Sequence, residues 1–502
     1  MSAPEVPSAR EIREEIRDWR RGRAELKWGT VISDAYVTLF CVVMVAAMGG
    51  KMVLTVRRLA DDSCVGGCGE VRSAAPWLVA LAVALMTLGL ARLLGPVFSP
   101  PAANGWLLST PVDRGALLRP GWTRTACLTV VGAVLALVAP AALSGFDVTE
   151  AVVYLVAASA SALACVGIAA LSQVHERPAA RWLSWSITAV LWVALSLSAV
   201  QRLGDIPRVP VGVGVALTVL VVLVAGALLW RTRAALPDVS RRVLGHTENL
   251  SPSLSGALSS LDLGLMYDVL LARRWGPGAG VRTRTGGPLG WWALAHRDLL
   301  RAARTPQPVI LLAGLVLVPY AADQAGAGRA VVLVTTLVGL LGGPALCAGL
   351  RVVVRTQSLA RMMPLGRRHL LLAHLVVPGS ALLLFALATT WTLLPQHPAG
   401  EAVALALACG VSALAATVRG VTGKPPNYAA PMVSTPAGGV PTGVFSSVAR
   451  GFDVWAVTAL PLMFGPIGVN VSLVISLGVI SYLVSDGAGA SLTRPRATPD
   501  PP

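Results

Sequence analysis

Side chains able to do chemistry are few in this sequence, and their spacing matches no catalytic constellation. Cys64 and Cys68 share the segment Cys-Val-Gly-Gly-Cys. Two readings stand side by side for them: a disulfide, or two unlinked thiols, because so small a ring demands unusual backbone geometry. No histidine lies near enough to suggest a metal site. Asp61, Asp62 and Glu70 flank them. A membrane enzyme such as a lipid-linked glycosyltransferase would want acids there, but no second loop adds acids or histidines, and surface solvation accounts for these three. Gly420-Val-Thr-Gly-Lys-Pro is the string nearest to a phosphate-cradling loop. It lacks the spacing, and the Ser/Thr after lysine, that a P-loop requires. The expectation is therefore no catalytic residue, no metal and no cofactor in this chain.

The elements that carry these residues are apolar. Of 502 residues, 55% are hydrophobic and 13% charged, against roughly 25% charged in a soluble domain. Apolar runs fall near residues 31–50, 76–95, 123–144, 150–171, 183–202, 210–230, 306–323, 329–350, 370–394, 401–418, 453–467 and 468–485. At 1.5 Å per residue, most reach across a hydrocarbon core of about 30 Å. Backbone in lipid must bond internally, and runs of this length fit helices, not barrel strands. The expected fold is an all-α polytopic integral membrane protein with about 12 spans. The last two runs, separated by Gly465-Pro466-Ile467-Gly468, read either as a tight hairpin or as one re-entrant element and one span. Cys41, Cys127, Cys165, Cys347 and Cys409 lie in or beside apolar runs, where cysteine behaves as a small hydrophobe.

The net charge of +16 would suggest nucleic acid in a soluble protein, but here the basic residues sit between spans. With the N-terminus inside, only Lys51, Arg57, Arg58, Arg72, Arg202, Arg208 and Arg329 fall outside, leaving 34 of the 41 Lys and Arg inside. The positive-inside rule then places both termini in the cytoplasm. Lysine occurs only at Lys27, Lys51 and Lys424, which suggests a GC-rich bacterial genome and hence a bacterial cytoplasmic membrane. The first apolar run is expected to serve as an uncleaved membrane signal.

The organisation is a repeat. Residues 1–30 read as an amphipathic cytoplasmic helix, 31–230 as a first six-span unit and 231–290 as a cytoplasmic linker. Residues 291–485 read as a second interfacial helix with a second six-span unit, and 486–502 as a tail. In the first helix Ser8 and Glu11 have capping-box spacing, and Ile12, Ile16 and Trp19 share one face. In the second, Arg297, Arg301 and Arg304 form a basic stripe opposite Trp292, Ala295, Leu299 and Ala302. Such helices lie along a leaflet; a solvated helix of no special role is the alternative.

Between the second and third spans of each half the chain reads Pro-x-x-Arg-x-x-Leu-Leu: Pro111, Arg114, Leu117, Leu118 and again Pro364, Arg367, Leu370, Leu371. Thr110, Pro111 and Asp113 suit an N-cap, a first helical position and a third, so a short helix bearing charge and apolar side chains is expected there. Met363 and Gly366 replace the capping threonine and the aspartate in the second copy. The simpler alternative is a loop whose arginine meets lipid phosphate. The inner loop 419–452, rich in Pro and Gly, reads as fixed and non-helical.

An amphipathic leading helix, six spans and this loop together resemble the membrane subunits of ABC exporters. The resemblance covers both halves and implies two fused permease units. It also implies that the Pro-x-x-Arg loops are coupling helices set into a separate ATP-binding subunit, with two copies per chain, and that no ATP chemistry occurs in this chain. The main rival is an ion-coupled carrier, which usually needs ionisable residues at mid-membrane depth. Asp34, Glu150 and Glu401 lie only near span ends. Spans so apolar favour an amphiphilic cargo.

Overall fold

In hydrocarbon a helix is the way a single apolar run satisfies its own backbone. The computed structural model contains 10 helices long and apolar enough to cross a membrane among the residues it describes. Those residues are scattered positions between 8 and 51, then 68–97, 103–199 apart from 109 and 111, 210–240, 244, 286–423, 432–435, 438–441 and 450–485. The protein is an all-α polytopic membrane protein. Every described residue between Ile32 and Lys51 is helical, but the first expected span lies largely outside the described residues.

The chain divides into two compact units. Met1–Gly256 with Gln324–Gly326 and Val433–Val440 forms one, and Ala257–Asp323 with Ala327–Met432 and Pro441–Pro502 forms the other. The first contains α1 (Cys68–Leu94), α2 (Arg114–Leu143), α3 (Val148–Val174), α4 (Ala179–Ala199) and α5 (Val211–Ala235). Helix α3 packs against the other four because most of its buried positions are small, among them Ala158, Ser159, Ala160, Ala162, Gly167, Ala169 and Ala170. Small residues let helix backbones approach where lipid supplies no hydrophobic drive. A Cβ on Gly167 would lie 3.0 Å from Leu228 Cβ of α5. The buried Tyr154 hydroxyl donates to the carbonyl of Pro76 at 2.6 Å, tying α3 to α1. The Gln173 amide clamps both backbone groups of Val97. Glu150 accepts from the Asp147 backbone N–H at 3.1 Å, so this acid caps α3.

The second unit contains α6 (Trp292–Arg304), α7 (Gln307–Leu315), α8 (Leu317–Gln324), α9 (Val331–Gly342), α10 (Ala348–Arg355), α11 (Gln357–Met362), α12 (Arg367–Ala388), α13 (Ala399–Thr422), α14 (Phe452–Ala459) and α15 (Pro466–Val484). Helices α9 and α10 are one run broken at Gly343-Pro344. Proline cannot donate to the helix ladder, and Gly343 lies so close to Thr417 that a Cβ there would stand 2.9 Å from Thr417 Cγ2. Helix α13 carries an alanine-rich buried face against α9, α12, α14 and α15. Loop 419–452 begins later than the sequence suggests, since α13 runs to Thr422. Two short strands, β1 (Met432–Thr435) and β2 (Gly438–Pro441), pair within it.

The last two expected spans form a hairpin with unequal arms. The first arm is α14 followed by five 3-10 residues, Leu460–Phe464. Eight α residues and five 3-10 residues rise about 22 Å, short of a hydrocarbon core of about 30 Å. Gly465, at φ 77°, turns the chain, and the 19-residue α15 is long enough to cross.

Candidate functional site

The repeated motif opens a span helix in each unit. In the first copy α2 starts at Arg114, with Asp113 before it. The Thr110 hydroxyl donates back to the carbonyl of Leu107 at 2.6 Å, and the helix starts only at Arg114 as part of a span, so the expected separate helix with Thr110 as its cap does not form. Pro111 lies outside the described residues. In the second copy Gly366 precedes α12, which starts at Arg367. Each arginine is thus the first residue of its helix. Each follows a short helical element: the π-helix Ala103–Leu107 in one unit, α11 in the other.

That placement turns the motif's leucines inward. Positions three and four on from the arginine return to one helix face, and Leu118, Leu370 and Leu371 are buried in their unit's core, with Leu117 packed against it. They anchor the helix starts and are not exposed to a partner, contrary to the expectation for a docking helix. The first turn of α2 is held closely as well: a Cβ on Gly115 would lie 2.9 Å from Pro237 Cγ, just beyond α5. Exposed residues around the two copies include Trp106, Thr110, Asp113 and Arg119 in one and Arg361, Met362, Pro364, Arg368 and His369 in the other.

A buried polar cluster in the second unit joins this helix start to the interfacial helix. The apolar stripe expected on α6 is only partly its packing face. Ala295 is buried and Leu294 packs inward, whereas Trp292 and Leu299 are exposed beside them. Between these faces and the exposed Arg297 and Arg304, Asp298 points into the unit and accepts from His374 Nδ1 of α12 at 2.5 Å. The backbone of α10 closes over the pair at Gly349, where a Cβ would fall 2.7 Å from His374 Nδ1 and closer still to Asp298. Arg351, buried on α10, donates through Nη2 to the carbonyl of Pro344, at the break between α9 and α10. Among the described residues, His374 Nε2 and Arg367 Nε are buried and meet no hydrogen-bond partner. The Asp–His pair fastens α6 to α12. Sequence reasoning missed it because its members stand 76 positions apart. The available signal was a lone acid inside the basic stripe of α6 and a histidine in an apolar run.

The remaining expected residues are dispersed. Ser8 and Glu11 do form a capping box: Ser8 N–H donates to Glu11 at 2.9 Å and Glu11 N–H to Ser8 Oγ at 3.3 Å. Ile12 is half-buried, and Ile16 and Trp19 lie outside the described residues. So do Asp34, Cys64 and the side chain of Cys68, whose backbone begins α1. Arg301 is half-buried on α6. Glu401, at the start of α13, lies 3.8 Å from His397. Cys127, Cys165, Cys347 and Cys409 are free thiols. Among the described residues no three His, Cys, Asp or Glu side chains converge as a metal site would need.

No curated protein and no solved structure matches this chain. A family model matches residues 68–431, a stretch that holds both Pro-x-x-Arg segments and the Asp298–His374 pair. The chain belongs to that family, DUF6297, a family of unknown function.

Proposed function

We propose that this chain is the membrane-spanning permease of an ABC-type exporter. In this reading it lies in a bacterial cytoplasmic membrane with both termini in the cytoplasm. A separately encoded ATP-binding subunit, two copies per chain, supplies the work, and the cargo is amphiphilic. The observation that carries the reading is the equivalence of the two motif segments. In each unit a short helical element is followed by an arginine at the first position of a span helix. Such an element, joined to the start of a span by a few non-helical residues with exposed side chains, suits transmission of a partner's movement into the membrane. Contact then falls to the exposed side chains around each arginine, Trp106 and Arg119 in one copy and Met362 and Arg368 in the other.

Gentle purification from the host should bring down a soluble subunit carrying Gly-x-x-x-x-Gly-Lys-Ser/Thr. Arg119→Glu combined with Arg368→Glu should reduce the recovered ATPase by about tenfold or more, with the permease's own melting unchanged. Full recovery with the double variant would end the coupling role of these loops.

The Asp298–His374 pair favours a second reading, an ion-coupled secondary transporter, since buried ionisable groups in membrane proteins mark proton pathways. Transport by the chain alone in liposomes, driven by a proton gradient without nucleotide, would establish that reading and remove the first.

A further inference from the structure

Helices α3, α4 and α5 of the first unit end at a recess of about 570 Å³ that the motif loops do not use. Ile168, Leu171 and neighbouring alanines form its apolar wall, and His175, Arg177, Arg231 and Asp238 form its polar side. It lies at the helix ends shared with Arg114, because Pro237 packs on Gly115.

The recess is held in shape by backbone bonds. The turn from α3 to α4 contains Glu176 at φ 53°, a left-handed conformation uncommon outside glycine. The turn is fixed on both sides. His175 N–H donates to Leu171 O at 3.0 Å, Arg177 N–H to Ser172 O at 3.1 Å, and Ala180 N–H to Ser172 Oγ at 3.1 Å. His175 Nδ1 also lies 2.9 Å from Leu171 O. The opposite wall is rigid because α5 meets α3 at Gly167 and Leu228. Strained, over-determined turns of this kind gather at binding sites.

Its chemistry is cationic and its depth is interfacial. Among the described residues neither Arg177 nor Arg231 forms an ion pair. Trp182 and Trp185 on α4 and Trp230 on α5 are exposed at this same end, and exposed tryptophans mark the headgroup level of a bilayer. Two guanidinium groups offer paired donors to phosphate oxygens, and basic pockets between spans bind acidic lipid headgroups. Asp238 adds an acceptor suited to a headgroup hydroxyl.

We propose that this recess binds the phosphate of an anionic phospholipid with a hydroxylated headgroup, its acyl chain running along Ile168 and Leu171. The proposal is independent of what the protein transports. The full-length chain in nanodiscs, titrated with labelled phosphatidylglycerol, tests it. Arg177→Gln with Arg231→Gln should weaken binding by about tenfold or more. Arg181→Gln with Arg233→Gln, the same charge change beside the recess, should weaken it by less than about twofold. Arg177→Lys alone, which keeps the charge and removes the paired donors, should still cost several-fold; this variant decides the matter if the double glutamine protein melts early. Unlabelled phosphatidylcholine should not compete, and neither should inorganic phosphate at millimolar concentration. Equal losses in the two double variants, unchanged binding in Arg177→Lys, competition by phosphatidylcholine, or displacement by inorganic phosphate would each overturn the proposal; the last would mark a site for a soluble phosphate.

Discussion

Removing one member of a largely buried hydrogen-bonded pair strands the other, and Asp298 and His374 lie under the backbone of α10 at Gly349. Asp298→Ala or His374→Ala should each lower stability by about 1.5–3 kcal/mol, the scale of a hydrogen bond to a charged group. The double variant should cost clearly less than the two combined, because the second change removes a group already without its partner. Thermal melting of the detergent-solubilised protein reads this coupling, and strict additivity would show that the two side chains do not depend on each other. Gly349 offers a sharper check. Gly349→Ala drives a methyl group into both side chains, so it should destabilise the native protein and be nearly harmless in the background that carries both Asp298→Ala and His374→Ala. Equal damage in both backgrounds would mean that the backbone of α10, and not the pair beneath it, resists the methyl.

At the scale of elements, the closing hairpin is set by one close approach. A Cβ on Gly468 would overlap the carbonyl oxygen of Pro461 and stand 2.8 Å from its carbon, so α15 lies directly against the 3-10 arm. Above this contact Ser472 Oγ donates to Thr458 O at 2.7 Å, and Thr458 Oγ1 meets Ser412 Oγ of α13 at 2.6 Å. Gly468→Ala should cost about 1–3 kcal/mol, the range for overpacking. Gly478→Ala, with nothing within 4 Å of the added atom, should leave melting unchanged; similar effects for both would rule out the close approach as the cause. Much of this element structure was legible in the sequence, since an apolar run of span length has few alternatives to a helix. The turn at Gly465 was legible too; run length did not reveal that Leu460–Phe464 winds as a 3-10 helix. The start of α2 was misread for a related reason. Thr110, Pro111 and Asp113 carry a capping signal, yet the Thr110 hydroxyl finds its partner backwards, at Leu107. The inward face of α6 was hidden because Asp298 reads as one more polar residue until His374 is brought beside it.

On the scale of the whole molecule, duplication and charge asymmetry lead to a prediction of orientation. The repeat is read from the span count, the leading helices and the motif, and Arg114 and Arg367 are each the first residue of a span helix. In the first unit the helix ends around Arg114, Arg177 and Arg231 are basic, whereas the connection from α2 to α3 carries Asp147 and Glu150. In the second unit the ends near Arg301, Arg355 and Arg368 are basic, and the opposite ends carry Asp323 and Glu401, with Arg329 as the exception. Insertion favours retaining arginine on the cytoplasmic side, so both units should present their motif segments there. Reporter fusions after Gly145 and Gly400 should be active outside the cell, and fusions after Pro178 and Gly286 should be active inside. The Gly286 fusion discriminates most, because it follows the 231–290 segment and reports the side on which the second unit begins. If it were active outside, Arg367 and α11 would face away from any cytoplasmic ATPase, and the second motif could not couple. If Pro178 alone were reversed, the first unit would be inverted relative to its charge, and its arginine-lined recess would face outside lipid.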